Sequence, residues 1–292
     1  MCGAYSVSQQ IWPIHLITAH RNAVAAESLS KNFNELGAFS NLSRKKEVSC
    51  PPQSRSTAVI LVLGQSNSAN HGEKKFESRY STKVLNYHLG KCYSAESPLL
   101  GASGLEGEYL TLMGDTLIKE ANLSSVILVT KSIAGSTVSD WANYGRFSLE
   151  LASTLNTLNL KYRVTDVIWH QGESDFASNT SLGDYRESFQ ELNSILHRNG
   201  VKAPIFIVIS TKCGYNPTWT TQNPVATAQK SIINDRDIFL GIDADSILLE
   251  KDRRSQSPSQ EPNCHLSEKG QNKVAKMMSD RLIGFHGFLI SK

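Results

Sequence analysis

Five short apolar runs recur along the chain, and segments with helical periodicity separate them. The first, AVILVL at residues 58–63, has no polar position and is followed by a glycine. Runs of this length and composition are typical of strands buried on both faces of a parallel sheet. Similar apolar runs lie at residues 126–130, 164–169, 205–210 and 238–242. We therefore interpret these five segments as the strands of one parallel sheet.

Helices are predicted between and after these runs, because apolar residues recur there with helical spacing. The predicted helices span residues 108–121, 147–158, 182–198, 226–235 and 267–282. Alternating strands and helices predict an α/β fold, a three-layer doubly wound parallel sheet with helices on both faces. We expect one domain over residues 55–292, behind an N-terminal extension and linker at residues 1–54.

Charge and composition narrow the classes of partner. The 292 residues include 30 Lys and Arg against 27 Asp and Glu, a formal net charge of +3. This balance does not indicate the basic surface of a nucleic-acid-binding protein. No apolar run approaches the roughly 18 residues that a membrane-spanning helix needs. We expect no nucleic-acid partner and no membrane span, and the sequence leaves the oligomeric state open.

The chemistry is expected at one edge of the sheet, because ligands of open α/β sheets bind beyond the carboxyl ends of the strands. The segment GQSNSAN, residues 64–70, directly follows the first strand. A serine on such a turn exposes its hydroxyl at a helix N-terminus, where the Ser66 backbone N–H and the helix dipole stabilise an oxyanion. The alternative is an ordinary strand–helix turn with Ser66 as its cap.

Two further polar blocks fall at the same predicted edge. WHQGESD, residues 169–175, follows the strand that ends at Trp169, and its Gln171 amide can donate to an oxyanion while Glu173 accepts hydrogen bonds. NCHLSEKG, residues 263–270, places His265 two residues before Ser267, the predicted cap of the last helix. A lone histidine in a loop is commonly solvated, but beside a candidate serine nucleophile it becomes the leading general base.

The five cysteines have no CxxC spacing, which argues against zinc and against a fully paired disulfide framework. Cys213 follows the strand at 205–210 and Cys264 precedes His265, so both are expected at this edge. A bridge between them would stabilise the fold by roughly 4 kcal/mol in the chain-entropy model. It would also favour an exported, periplasmic or secreted protein over a cytoplasmic one. The alternative is two free thiols, and the apolar segment 11–18 matches a signal peptide poorly.

The three blocks in this order, with SPLLGASG at residues 97–104 and AGSTVSDW at residues 134–141, resemble the SGNH-type hydrolases. Within them the chain is similar to the sialate O-acetylesterase and acetyl-xylan esterase group. The resemblance implies that Ser66 is the nucleophile and His265 the general base. It implies oxyanion donors from the Ser66 N–H, the Gln171 side chain and a glycine, Gly104 or Gly107. The expected substrate-binding side chains are Gln65, Asn67, His170 and Trp141, the last as a stacking platform for a sugar. The alternative for Trp141 is packing against other side chains, since aromatic residues bury large areas wherever they lie.

The chain departs from this pattern at the third member of the catalytic triad. The family commonly has Asp three residues before the histidine, where this chain has Pro262. Glu261 or Glu173 would then accept the hydrogen bond of the base, or a Ser66–His265 dyad would operate with a main-chain carbonyl. We favour the dyad, because a residue before proline is restricted to extended geometry and Glu261 then points away.

The resemblance implies a serine esterase that removes acetyl groups from an acetylated carbohydrate, such as sialic acid, xylan or a bacterial polysaccharide. Such an enzyme works through an acyl-enzyme and needs no metal or organic cofactor. Two alternatives stay open at this point. One is a carbohydrate O-acetyltransferase that uses the same Ser–His pair, and the other is a catalytically silent carbohydrate-binding module.

Overall fold

The computed structural model describes residues 31–213, 222–254 and 264–287, in which eight strands form a single sheet. The strands are β1 (Glu47–Val48), β2 (Thr57–Gly64), β3 (Val84–His88), β4 (Lys91–Ser94), β5 (Ser125–Ser132), β6 (Asp166–Gln171), β7 (Ile205–Ile209) and β8 (Ile238–Asp243). The helices are α1 (Leu110–Glu120), α2 (Ser148–Asn159), α3 (Glu173–Ala177), α4 (Leu182–Arg198), α5 (Pro224–Ile232), α6 (Ala244–Ile247) and α7 (Glu268–His286).

The sheet has the order β1-β4-β3-β5-β2-β6-β7-β8, and all strands from β3 to β8 in this order run parallel. The predicted α/β fold is confirmed, with all five predicted strands at its centre and on one side. The antiparallel edge formed by β3, β4 and β1 was not predicted. Its hairpin turns through Leu89 and Gly90, whose φ angles of 47° and 84° suit a tight turn.

The two faces of the sheet bury separate cores, as the alternation of a strand requires. In β2, Val59, Leu61 and Leu63 face one core and Ile60 and Val62 face the other. Helices α2, α4 and α5 cover the first face, and α1 and α7 cover the second. The three predicted layers are therefore present. None of the helices in the described ranges is both long and apolar enough to cross a membrane.

The described part of the predicted extension belongs to this domain. Ala38 and Phe39 are buried, and β1 pairs with β4. The Phe39 N–H donates to Ala102 O at 2.8 Å, and the Gly101 N–H donates to Phe39 O at 2.9 Å. A disulfide also joins Cys50 to Cys92 in β4, with the Cα atoms 5.2 Å apart. Residues 38–50 thus pack and pair with segments that follow residue 55.

Strand β2 occupies the position where the chain reverses its direction across the sheet. It lies between β5 and β6, and the connections that leave β2 and β6 run to opposite sides. In doubly wound sheets, this divergence opens a crevice beyond the carboxyl ends of the strands. The Ser66 turn and the block after β6 both lie at this crevice.

At the amino end of β6, away from the crevice, His286 in the last turn of α7 contacts the first residue of the strand. Its Nε2 lies 2.6 Å from Asp166 Oδ1, and this hydrogen bond raises the histidine pKa above its ordinary value of 6.5 against the opposing effect of burial. A protonated histidine at a helix C-terminus also interacts favourably with the helix dipole.

We expect His286→Gln to lower the free energy of unfolding by about 0.5–1 kcal/mol at pH 6 and by less at pH 9. Because the folded pKa is raised, the contribution is complete below the ordinary pKa and is lost as the pH rises through the folded value. Urea unfolding of both proteins at the two pH values measures this difference. A loss that is equal at pH 6 and pH 9 would contradict the charged interaction.

Candidate active site

Ser66 lies on a sharp turn directly after β2. Gly64 makes this turn with φ of 145°, and any side chain there would collide with the carbonyl oxygen of His170. Ser66–Ser68 form a single 3-10 turn, in which the Ala69 N–H donates to Ser66 O at 3.0 Å. The predicted helix at Ser66 is therefore only this one 3-10 turn, which is too short to have the dipole of an α-helix.

The side chain of Gln65 secures this turn against the block after β6. Its Oε1 accepts hydrogen bonds from Ser174 N at 3.1 Å and from Gln171 Nε2 at 3.3 Å. The residue is 4% exposed. Gln65 thus binds the first turn of α3, and this placement argues against the predicted substrate contact.

Asn67 joins the Ser66 turn to the block that contains His265. Its Nδ2 donates to Glu173 Oε1 at 2.6 Å and to Cys264 O at 3.1 Å. The carbonyl of Cys264 also accepts a hydrogen bond from Arg253 Nη1. Since Asn67 and Cys264 are the immediate neighbours of Ser66 and His265, the hydrogen bond between them holds together the two segments that carry the predicted nucleophile and base. Asn67 itself holds the site together, in contrast to the predicted substrate contact.

A disulfide holds the histidine block from the other side. Cys213 and Cys264 are bonded, with their Cα atoms 4.1 Å apart, which confirms the predicted bridge. The segment before Cys213 is itself anchored, because Asp245 accepts hydrogen bonds from Thr211 N and Lys212 N at 2.9 and 3.0 Å. His265 therefore follows a residue that is bonded covalently to the end of β7.

His265 lies in a setting that disfavours its protonated form. It is half-buried, and burial lowers its pKa to about 4, with further lowering by the neighbouring His71 and by the positive charges of Arg254 and Arg253. The backbone N–H of Arg254 donates to His265 O at 2.8 Å. A histidine with this pKa is neutral at physiological pH and is able to accept a proton.

The two glycines predicted as oxyanion donors differ in whether their backbone N–H groups have an acceptor. Among the described residues, the backbone N–H groups of Ser66 and Gly104 have no hydrogen-bond acceptor. The N–H of Gly107, in contrast, donates to Gly72 O at 3.0 Å. Gly104 has φ of 91°, and a side chain there would collide with Asn70 O. The geometry thus favours Gly104 over Gly107, because an oxyanion hole needs an unpaired N–H.

The amide of Gln171 is engaged within the protein. Its Nε2 donates to Ser136 O at 3.1 Å and to Asp175 Oδ2, while its Oε1 accepts from Tyr185 OH at 3.0 Å. The side chain is fully buried. Because both amide hydrogens already have acceptors, this arrangement argues against the predicted oxyanion role of Gln171.

Two more of the predicted substrate contacts lie in the core. Trp141 is 1% exposed, packs against Phe147 with ring centroids 4.8 Å apart, and donates from Nε1 to Ser136 Oγ at 3.1 Å. It therefore cannot stack against a sugar, and the prediction for this residue is wrong. His170 is 1% exposed, and its Nδ1 lies 3.2 Å from Tyr109 OH. Burial lowers its pKa to about 3, which leaves a neutral side chain behind the site.

Glu173, a candidate for the third member of the catalytic triad, is buried and accepts hydrogen bonds from neighbouring side chains. Its Oε1 accepts from Asn67 and also from Ser210 Oγ at 2.7 Å, and burial raises its pKa above the ordinary value. Glu261 and Pro262 lie outside the described residues. The choice between Glu261 and a dyad therefore stays a prediction.

Three residues at the site were not predicted from the sequence: His71, Arg253 and Arg254. His71 stands in the same block as Ser66, at a position that could have been noticed from its closeness to the candidate nucleophile. The two arginines belong to the charged stretch KDRR, residues 251–254, which is typical of a solvated loop. Arg253 is nevertheless buried.

The arrangement around Ser66 and His265 is typical of one class of protein. A serine on a tight turn and a loop that carries a neutral histidine are joined here through Asn67, at the carboxyl ends of the central strands. Their placement at the switch point of a doubly wound sheet is that of an α/β hydrolytic enzyme.

Comparison with known families identifies the chain further. The family model described as "Carbohydrate esterase, sialic acid-specific acetylesterase" matches residues 56–284, and the chain belongs to this family. It is an enzyme of the carbohydrate esterase class, as the resemblance of its three blocks implies. No curated protein sequence matches the chain.

Solved structures show the same fold at low sequence identity. A protein from Arabidopsis thaliana has a TM-score of 0.59 at 16% identity, over 80% of this chain and 100% of that one. A family 3 carbohydrate esterase from Clostridium thermocellum has a TM-score of 0.52 at 15% identity, over 78% and 96% of the two chains. A carbohydrate acetylesterase from Xanthomonas citri has a TM-score of 0.51 at 14% identity, over 77% and 56%.

The bridging role of Asn67 leads to a prediction for Asn67→Ala. We expect turnover to fall about 10- to 100-fold, because losing both hydrogen bonds lets the Ser66 turn and the His265 block shift relative to each other. We also expect a loss of about 1–3 kcal/mol in unfolding free energy, since Glu173 and the Cys264 carbonyl lose a buried donor.

Steady-state kinetics and urea unfolding measure the two effects. The matched control is Asn272→Ala, an exposed asparagine on α7 whose amide donates within the helix to Glu268 O. Unchanged turnover in Asn67→Ala would show that the bridge does not position the catalytic groups.

Proposed function

We propose that this carbohydrate esterase removes acetyl groups from a sugar hydroxyl through an acyl-enzyme on Ser66. The observation that carries the proposal is the hydrogen bond from Asn67 Nδ2 to Cys264 O, because it joins the residues next to Ser66 and His265. The neutral state of His265 and the unpaired N–H groups of Ser66 and Gly104 support it.

In the proposed reaction, His265 takes the proton of the Ser66 hydroxyl as the oxygen attacks the ester carbonyl. The N–H groups of Ser66 and Gly104 stabilise the oxyanion of the tetrahedral intermediate. The protonated His265 then gives its proton to the departing sugar oxygen. In the second half of the reaction, His265 takes a proton from a water molecule that attacks the acyl-enzyme, and acetate leaves Ser66.

We propose that the substrate is an acetylated sialic acid, xylan or bacterial polysaccharide, met outside the cytoplasm. The two disulfides, Cys50–Cys92 and Cys213–Cys264, support an oxidising compartment. A panel of these three substrates, assayed for acetate release, distinguishes between them.

Ser66→Ala should lower the rate of acetate release from p-nitrophenyl acetate and from the preferred sugar ester by about 10⁴-fold or more. The matched control is Ser194→Ala, which removes an exposed hydroxyl on α4 that donates to Gln190 O. Activity of Ser66→Ala within tenfold of the parent protein would exclude Ser66 as the nucleophile. Acetyl transfer to added sugars in place of acetate release would identify a transferase, and sugar binding without turnover would identify a binding module.

The low pKa of His265 predicts the pH dependence of the enzyme. The base must be neutral to accept the proton of Ser66, and burial together with His71, Arg254 and Arg253 holds its pKa at about 4. We therefore expect kcat/KM to stay level from pH 8 to about pH 5 and to reach half its value near pH 4. A half-maximal value at or above the ordinary histidine pKa of 6.5 would contradict this setting of the base.

A further inference from the structure

The mechanism leaves one histidine at the site without a role. The ring of His71 lies against the ring of His265, with the centroids 5.0 Å apart and the planes inclined by 28°. The two residues are far apart in the sequence, so the stacking is made by the tertiary fold. A flat side chain thus covers one face of the catalytic imidazole.

The His71 ring is itself held in place at its edge. Its Nε2 lies 3.1 Å from Ser103 Oγ, which also accepts a hydrogen bond from Ala134 N at 2.7 Å. Ser103 precedes Gly104, the proposed oxyanion donor. A methyl group placed on Gly104 would lie 2.8 Å from His71 Nε2. The ring therefore lies between the base and the oxyanion loop and contacts both.

The backbones of the two histidines are also joined, through Arg254. Its main-chain N–H donates to His265 O at 2.8 Å, and its Nη1 donates to His71 O at 3.0 Å. Beyond His71, the N–H of Glu73 donates to Leu266 O at 3.0 Å. The main-chain segments that carry the two rings are thus held together by three hydrogen bonds.

We propose that His71 is a positioning residue for the catalytic base, which it holds in its reactive orientation by stacking. This inference rests on the proposed function of Ser66 and His265. The wall formed by His71 restricts rotation of the His265 side chain, which otherwise loses freedom at an entropic cost each time it aligns with Ser66. The His71 ring also gives an aromatic face to the imidazolium that forms during the reaction.

The second part of this role requires a neutral His71, because two stacked cations would repel each other. Burial and the adjacent guanidinium of Arg254 lower the pKa of His71, and Glu106 opposes them. The site therefore presents an uncharged aromatic ring to a base that is otherwise close to the two arginines, Arg253 and Arg254.

Three substitutions separate stacking from other roles. His71→Ala removes the wall, His71→Phe keeps a flat aromatic ring without a titratable group, and His71→Leu keeps bulk without a flat face. We expect His71→Ala and His71→Leu to lower kcat about 10- to 100-fold with KM changed less than threefold. We expect His71→Phe to retain kcat within about fivefold of the parent protein. His197→Ala, at an exposed position near the end of α4, is the matched control.

Each of the opposite results would overturn the inference. A kcat of His71→Ala within twofold of the parent value would show that the stacking has no effect, and a rise in KM alone would make His71 a substrate contact. If His71→Phe is as impaired as His71→Ala, the imidazole itself takes part and positioning by stacking is wrong. If His71→Ala fails to fold, kcat of His71→Phe is compared with kcat of His71→Leu, once their melting temperatures show that the two variants are equally stable. Equal kcat values in the two variants would then overturn the inference.

The same assay applied to Ser66→Ala separates the two proposals. An inactive Ser66→Ala beside a fully active His71→Ala refutes only the positioning role. An active Ser66→Ala refutes the proposed function, whatever the His71 variants do.

Discussion

Asn67 places one buried amide between the carboxylate of Glu173 and the carbonyl of Cys264. A buried donor that loses its acceptors costs more than the hydrogen bond contributes, so the three elements are stable only when they meet. Glu173 in turn accepts from Ser210 after β7, and Cys264 is bonded to Cys213. Through this one side chain, the ends of β2, β6 and β7 and the start of α7 hold a common geometry.

Most polar residues near Ser66 build a rigid frame and leave the reaction to a few backbone and ring groups. Gln65 accepts a hydrogen bond from Ser174 in α3, and Gln171 at the end of β6 donates to Asp175 in the same helix. Trp141 packs in the core. In the proposed mechanism, such a frame holds the Ser66 turn and the Gly104 N–H in place before the substrate binds. Preorganised donors are effective because they need no reorganisation when charge develops on the substrate.

The central strands, the layers and the two catalytic candidates followed from the sequence, because apolar runs and strand-end positions are local patterns. The β3–β4 hairpin was missed because its residues mix polar and apolar types around Leu89 and Gly90. The positions of Gln171 and Trp141 differ from those expected for a different reason. A side chain at a strand end can point into the site or into the frame beside it, and only its tertiary partners decide.

The segment around Phe39 lies outside the residues that the family model matches, and it supports the loop that precedes Gly104. Its backbone exchanges two hydrogen bonds with Gly101 and Ala102, three to two residues before Gly104, and Cys50 is bonded to Cys92. A recombinant protein trimmed to residues 56–284 would keep every reacting group of the proposed mechanism. It would, however, lose the Phe39 segment that is hydrogen-bonded to Gly101 and Ala102, and it would leave Cys92 on β4 without its disulfide partner. The folded unit formed by the described residues is therefore longer than the portion that the family model matches.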